Sequence, residues 1–144
     1  MLMLTKFSFS EDTVLMPWNP GPRQGISGTV FVSVTDFLAA SDDEARRIYE
    51  TGFELGRTWP VMQGAVGLWL WGRPAERRGG SISVWESEPD MRRFVRWPVH
   101  TAIIKEWRGR VGIGADSWQA DQFDPDAILT RAGDTIEQPH RGAA

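Results

Sequence analysis

The chain has 144 residues with a net charge of −3, no cysteine and two histidines. That length fits a single domain, and the acidic balance argues against a nucleic-acid partner, which would require a basic domain or stripe. Without cysteine there is no disulfide framework, thiolate nucleophile or Cys-ligated metal. His100 and His140 cannot make a His-cluster zinc site by themselves, so no metal-ion site is expected.

Residues 1–28 read as an N-terminal extension. Met1-Leu2-Met3-Leu4 has neither the basic region nor the long apolar region of a signal peptide, and no run reaches the roughly 18 apolar residues of a membrane span. A cytoplasmic chain with no membrane partner is expected. Phe7 and Phe9, spaced by two, suggest a short extra strand, and Pro17–Gly28 is a Gly/Pro-rich connection. Thr29–Phe37 alternates Val30, Val32 and Val34 with Phe31, Ser33 and Thr35, the pattern of a strand. Ser41-Asp42-Asp43-Glu44 is a capping box. It opens a helix with Ile48, Gly52, Leu55 and Trp59 on one stripe, ended by Pro60. Gly64–Arg73 is a second strand, with Val66, Leu68 and Leu70 on one face and Gly67, Trp69 and Trp71 on the other, so both faces are apolar. After the loop Gly72–Gly80, Ile82 and Val84 alternate with Ser81, Ser83 and Trp85 to complete a hairpin.

Ser87-Glu88-Pro89-Asp90 starts a second helix with proline in its first turn. Met91, Phe94 and Val95 point inward until Trp97-Pro98, where proline kinks or restarts the helix. The restarted piece carries His100, Ile103, Ile104 and Trp107 at i, i+3, i+4 and i+7, which puts His100 on an apolar stripe. Ala115–Phe123 is a fourth strand, and residues 125–144 read as a flexible C-terminal tail. Residues 29–124 thus form one α+β domain of order βαββαβ, the ferredoxin-like pattern of a four-stranded antiparallel sheet. Right-handed crossovers place both helices on one face. The other face is left bare and apolar, and a second copy packed across a twofold axis would cover it, so a homodimer is expected.

Eight tryptophans against seven phenylalanines and one tyrosine call for large flat surfaces. Trp69, Trp71 and Trp85 on the hairpin either wall a pocket for a hydrophobic or aromatic small molecule or fill the core and a dimer interface. His100 is a general base or a core histidine bonded to a carbonyl, and carbonyls freed at the Pro98 kink would fix its tautomer. Arg92, Arg93, Arg96, Arg108 and Arg110 either clamp carboxylates or form a solvated face. Neither glycine-rich stretch has phosphate-loop spacing.

The segment Ser81–Arg110, SISVWESEPDMRRFVRWPVHTAIIKEWRGR, resembles the dimeric α+β barrel superfamily of antibiotic-biosynthesis and haem-degrading monooxygenases. The shared features are a strand ending in Trp85 before a charged residue and a helix cap, then Phe94 and His100 on the helix that follows. Within the superfamily it is most similar to the spheroidene monooxygenase-like branch, in Ser83–Trp85, Met91–Phe94 and His100–Ile104. The resemblance implies a dimeric α+β barrel and a monooxygenase-like tailoring enzyme. It implies catalytic roles for His100 and Trp85, and substrate contacts from Trp69, Trp71, Phe94 and Ile104. Haem bound through His100 is one implied mechanism. Cofactor-free reduction of O2 by a substrate anion is the other. Non-oxidative members of the superfamily make a cyclase, dehydratase or isomerase an alternative, and a non-catalytic small-molecule-binding dimer is a third reading.

Overall fold

The computed structural model describes residues 9–140. Phe7 of the expected N-terminal strand lies outside these, and Phe9 belongs to no strand but packs against the core. Val14–Leu15 (β1) and Asn19–Pro20 (β2) are two-residue strands. The β-branched run forms β3, Val30–Leu38. The Ser41 hydroxyl accepts the Glu44 amide at 3.1 Å and starts α1, Asp42–Gly56, one half of the capping box, while the Glu44 carboxylate turns to Arg110 instead of the Ser41 amide. The hairpin follows as β4, Ala65–Arg73, and β5, Arg78–Trp85. Ser87 caps α2, Glu88–Arg96, and Pro98 restarts the chain as α3, Pro98–Trp107. The remaining elements are β6, Gly112–Ala120, and α4, Pro125–Ile136. The sheet is antiparallel throughout in the order β1-β4-β5-β3-β6, with β2 also on β4. For the four long strands this is the ferredoxin-like order, so the fold is α+β as the element pattern predicts.

Two strands begin earlier than their side-chain alternation indicates. β5 starts at Arg78 rather than Ser81, because Gly79 and Gly80 continue the ladder opposite Phe37 and Asp36. A Cβ at Gly80 would overlap the Thr35 carbonyl, so only glycine keeps that pairing. β6 starts at Gly112 rather than Ala115 and ends at Ala120 rather than Phe123.

The largest departure concerns the sheet face expected to be bare. α4 packs on it, in place of the flexible tail read for residues 125–144. The Asp124 carboxylate accepts the Ala127 amide at 3.3 Å, Pro125 occupies the first turn, and Ile128, Leu129, Ala132 and Ile136 are buried along one stripe. The stripe meets Val30, Val32, Val34, Trp71, Ile82 and Val84 in one core cluster. The N-terminal segment closes the rest of the face, with the Trp18 ring packed at a tilt against Trp69 at 4.3 Å between ring centroids and against Phe123 at 5.2 Å. A Cβ at Gly67 would overlap the Trp18 ring, so glycine makes the seat for that indole. The sheet therefore needs no second copy to bury this face, and a homodimer would have to use another surface.

An ion-pair chain, buried at Arg73, Arg78 and Asp36 and open to solvent at Glu76, ties α4 and the N-terminal segment to the hairpin. Arg78, 1% exposed, grips Asp36, 6% exposed, through Nε at 3.2 Å and Nη2 at 2.8 Å. Glu76 joins Arg78 at 2.7 Å to Arg73 at 2.6 Å, and Arg73 reaches Glu137, just past α4, at 2.6 Å. Ser10 and Thr13 donate to the same Glu137 carboxylate. His140, buried beyond α4, hydrogen-bonds through Nε2 to the Asp36 carbonyl at 3.2 Å, so it belongs to this anchoring rather than to a site.

Candidate functional site

α1, α2 and α3 cover the opposite face of the sheet, and between them and the strands lies a cavity of about 900 Å³. That is the upper part of the range for small-molecule sites. Its shape follows from side-chain size. Near β4, Leu68, Leu70, Trp59, Trp85 and Phe31 pack tightly in a second cluster with Leu55, Met91 and Phe94 against it. Toward β6 the floor is small: Ser33, Ser81, Ser83, Ala115 and Ser117 cannot reach the helices, and a void remains. Gly52 thins α1 above it, while Ile103, Ile104 and Trp107 of α3 line the roof.

His100 stands on this roof and lines the cavity. Trp97 turns extended ahead of Pro98 and ends the helix, so the Val95 carbonyl in the last turn is left without its intrahelical partner. His100 Nδ1 lies 3.1 Å from that oxygen. A carbonyl only accepts, so Nδ1 carries the proton and Nε2 presents a lone pair, with no hydrogen bond of its own. Burial lowers the imidazole below the usual histidine range, against a smaller opposing effect of the Val95 bond. The ring is therefore neutral at pH 7, held by the carbonyl and by Phe94 at 4.6 Å between ring centroids.

Phe94 and Ile104 line the cavity with His100. The tryptophans separate. Register sets Trp69 opposite Ile82 and Trp71 opposite Gly80, so both rings point to the α4 side. Trp69 packs on Trp18, and Trp71 donates its indole N–H to the Thr35 carbonyl at 3.1 Å beneath Arg78. Trp85 is on the helix side but wholly buried behind the wall, at 5.3 Å from both Trp59 and Phe94, its indole donating to Ser83 at 2.9 Å. Of the two readings of Trp69, Trp71 and Trp85, pocket wall or core filling, the rings follow core filling, on two opposite faces. Alternation along β4 and β5 assigns each ring to a face, but only the pairing between the strands shows that the faces differ. Val66 also changes sides, joining the α4 cluster, because the register shifts between Ala65 and Gly67.

Trp59, Trp71 and Trp107 line the cavity, Trp71 with its ring in the α4-side cluster, and Trp59 and Trp107 each with a buried indole N–H lacking a hydrogen-bond partner. Arg47 and Arg110 lie over the Trp107 ring at 5.3 and 4.6 Å. Arg92 and Arg93 pair with Glu88 and Asp90 on the exposed face of their own helix, which is the solvated reading. The arginines that reach the cavity lining are Arg46 and Arg77 at the rim and the buried Arg78. The hydroxyl floor was signalled in the sequence by serines alternating with Val30–Val34 and with Ile82 and Val84. Among the described residues no group of three or more His, Asp or Glu is placed to hold a metal ion, and no helix is long and apolar enough to cross a membrane.

No family model and no curated protein matches the sequence. Solved structures do match. A ferredoxin-fold protein related to antibiotic biosynthesis monooxygenases, from Listeria monocytogenes, aligns at TM-score 0.50 and 19% identity over 64% of this chain and 57% of that one. A haem-degrading enzyme from Listeria monocytogenes aligns at TM-score 0.52 and 15% identity over 72% and 68%. A variant of SnoaB, a cofactor-independent oxygenase from Streptomyces nogalater, aligns at TM-score 0.50 and 17% identity over 67% and 97%. The chain spans only 55% and 50% of the first two matching structures, from Lactobacillus acidophilus and Fusobacterium nucleatum. With its strand order, its helices on one face and these likenesses together, the chain has the ferredoxin-like α+β fold of the antibiotic-biosynthesis monooxygenase-like proteins.

Proposed function

We propose that the protein is a monooxygenase-like tailoring enzyme that takes a hydrophobic or aromatic small molecule into the cavity and uses His100 Nε2 as its base. The observation that carries this is the neutral His100, its Nδ1–H spent on the Val95 carbonyl and its Nε2 lone pair left on the wall of a cavity roofed by Ile103, Ile104 and Trp107. In that setting Nε2 accepts a proton from an acidic C–H of the substrate, and the apolar walls keep the resulting anion out of water. The anion passes one electron to O2, the radical pair joins to a peroxide, and the peroxide loses water. A CH2 group and O2 thereby become C=O and H2O, with no other reductant needed.

The same donor fits haem. A histidine whose Nδ1–H is held by a carbonyl presents Nε2 as an iron ligand, and Arg46 and Arg77 at the rim suit carboxylates. Haem held there would supply oxygen activation. Likeness to both a haem-degrading enzyme and a cofactor-independent oxygenase supports keeping both routes in one test. Protein purified without haem is assayed on anthrone in air and under argon, before and after addition of haemin. Turnover in air without haemin, lost under argon, is the expected result. Turnover that appears only with haemin and a Soret band selects the haem route. Product formed equally under argon contradicts oxygenase chemistry and indicates a cyclase, dehydratase or isomerase using the same base.

A further inference from the structure

The floor of the cavity has a composition that packing alone does not explain. On its α4 side β3 presents Val30, Val32 and Val34, all buried. On the cavity side it presents Ser33 and Thr35. Strand pairing sets Ser83 and Ser117 on either side of Ser33, and Ser81 beside Thr35. Most of these hydroxyls are satisfied. Ser83 accepts the Trp85 indole N–H at 2.9 Å and donates to the Ser33 carbonyl at 3.3 Å. The Thr35 and Ser81 hydroxyls bond each other at 2.8 Å, and Thr35 also accepts the Ser81 amide at 3.0 Å. Ser117 is exposed.

Ser33 differs from all of them. It is 9% exposed, it lines the cavity from the middle of the sheet, and its Oγ has no hydrogen-bond partner in the protein. Unlike the sealed indole N–H groups of Trp59 and Trp107, this Oγ stays open to the cavity, where a ligand atom can reach it and an alanine would offer no hydrogen bond. We infer that Ser33 is a specificity-determining residue: its Oγ hydrogen-bonds a polar substituent on the ligand and so fixes which edge of the molecule meets His100 on the roof. This rests on the cavity being the ligand site. The small hydroxyl supplies discrimination where the apolar roof supplies only area, since a hydrogen-bonding position separates hydroxylated from deoxy ligands more sharply than an apolar wall does.

The test is calorimetric titration of the full chain with two probes of similar shape, 1-naphthol and 1-methylnaphthalene. Wild type is expected to prefer the naphthol by about five- to tenfold. Ser33→Ala should erase that preference, bind 1-methylnaphthalene within about twofold of wild type, and melt no lower. Ser33→Thr, which keeps the hydroxyl, should retain the preference, and Thr130→Ala, on the exposed side of α4, should leave it unchanged. If Ser33→Ala keeps the preference, weakens both probes alike, or unfolds, the inference is overturned while the cavity remains the site. If neither probe binds wild type, the cavity reading falls and this inference with it.

Discussion

Truncation after Asp124 is expected to leave no folded protein. Ile128, Leu129 and Ile136 are buried in the main core cluster, and each such side chain stabilises by about 1.5–3 kcal/mol when fully buried. Their removal also uncovers Val30, Val32, Val34, Trp71 and Ile82, so the total loss is comparable with the whole stability of a domain, about 5–15 kcal/mol. Ile136→Ala, a gentler probe of the same contact, should cost about 2–5 kcal/mol in urea unfolding followed by circular dichroism. A truncated protein with the far-ultraviolet spectrum and melting temperature of the full chain would mean that α4 is dispensable. The ion-pair chain behind α4 adds an acid signature. Hydrogen bonds from Arg73 and Arg78 hold the Glu76 carboxyl below its usual range. Burial would raise Glu137, but the bonds from Ser10 and Thr13 and the charge of Arg73 outweigh it and lower it. Both groups bind protons less readily in the folded chain, so their stabilisation is complete above the unfolded value of about 4.3. It is lost as pH falls through the lower folded values. The melting temperature should therefore drop on acidification through that window.

His100→Ala is expected to reduce kcat/KM by about 10²–10⁴, the range for loss of a general base, with a melting temperature close to that of wild type. The ring is only partly buried and its one protein hydrogen bond goes to a helix-end carbonyl, so little of the fold depends on it. Because burial holds His100 below the ordinary histidine value of about 6.5, the base form persists into mild acid. The acid limb of the pH–kcat/KM profile should lie below that value. Loss of activity together with a large fall in stability would instead mark His100 as a core residue.

Most of the fold was legible because its local signals agree. The capping box at Ser41, the cap at Ser87 and the Val30–Val34 alternation each specify one element, and the Pro98 break correctly places His100 beside freed carbonyls. α4 was missed for a reason internal to the signal. Asp124-Pro125 and the spacing of Ile128, Leu129, Ala132 and Ile136 form a start and an apolar stripe, yet Gly133 and the Gly/Pro-containing surroundings read as punctuation. Helix geometry tolerates Gly133 because it is buried against the sheet. The choice between a tryptophan wall and core filling was hidden at a different level. Alternation is local, whereas the side a ring occupies relative to another strand depends on register, which the Ala65–Gly67 shift alters. The hydroxyl floor was visible as residues but not as a site, since a serine facing a helix layer marks a cavity only once the helices are seen not to reach it.

The central claim is the protonation state of one ring, and nitrogen-detected NMR of histidine side chains reads it directly. His100 should show a protonated Nδ1 and an unprotonated Nε2 at pH 7, titrate below the ordinary histidine value, and shift its Nε2 resonance when 1-naphthol is added. A proton on Nε2 at neutral pH, a midpoint above the ordinary value, or a resonance indifferent to a bound probe would contradict the assignment of His100 as the base of the cavity.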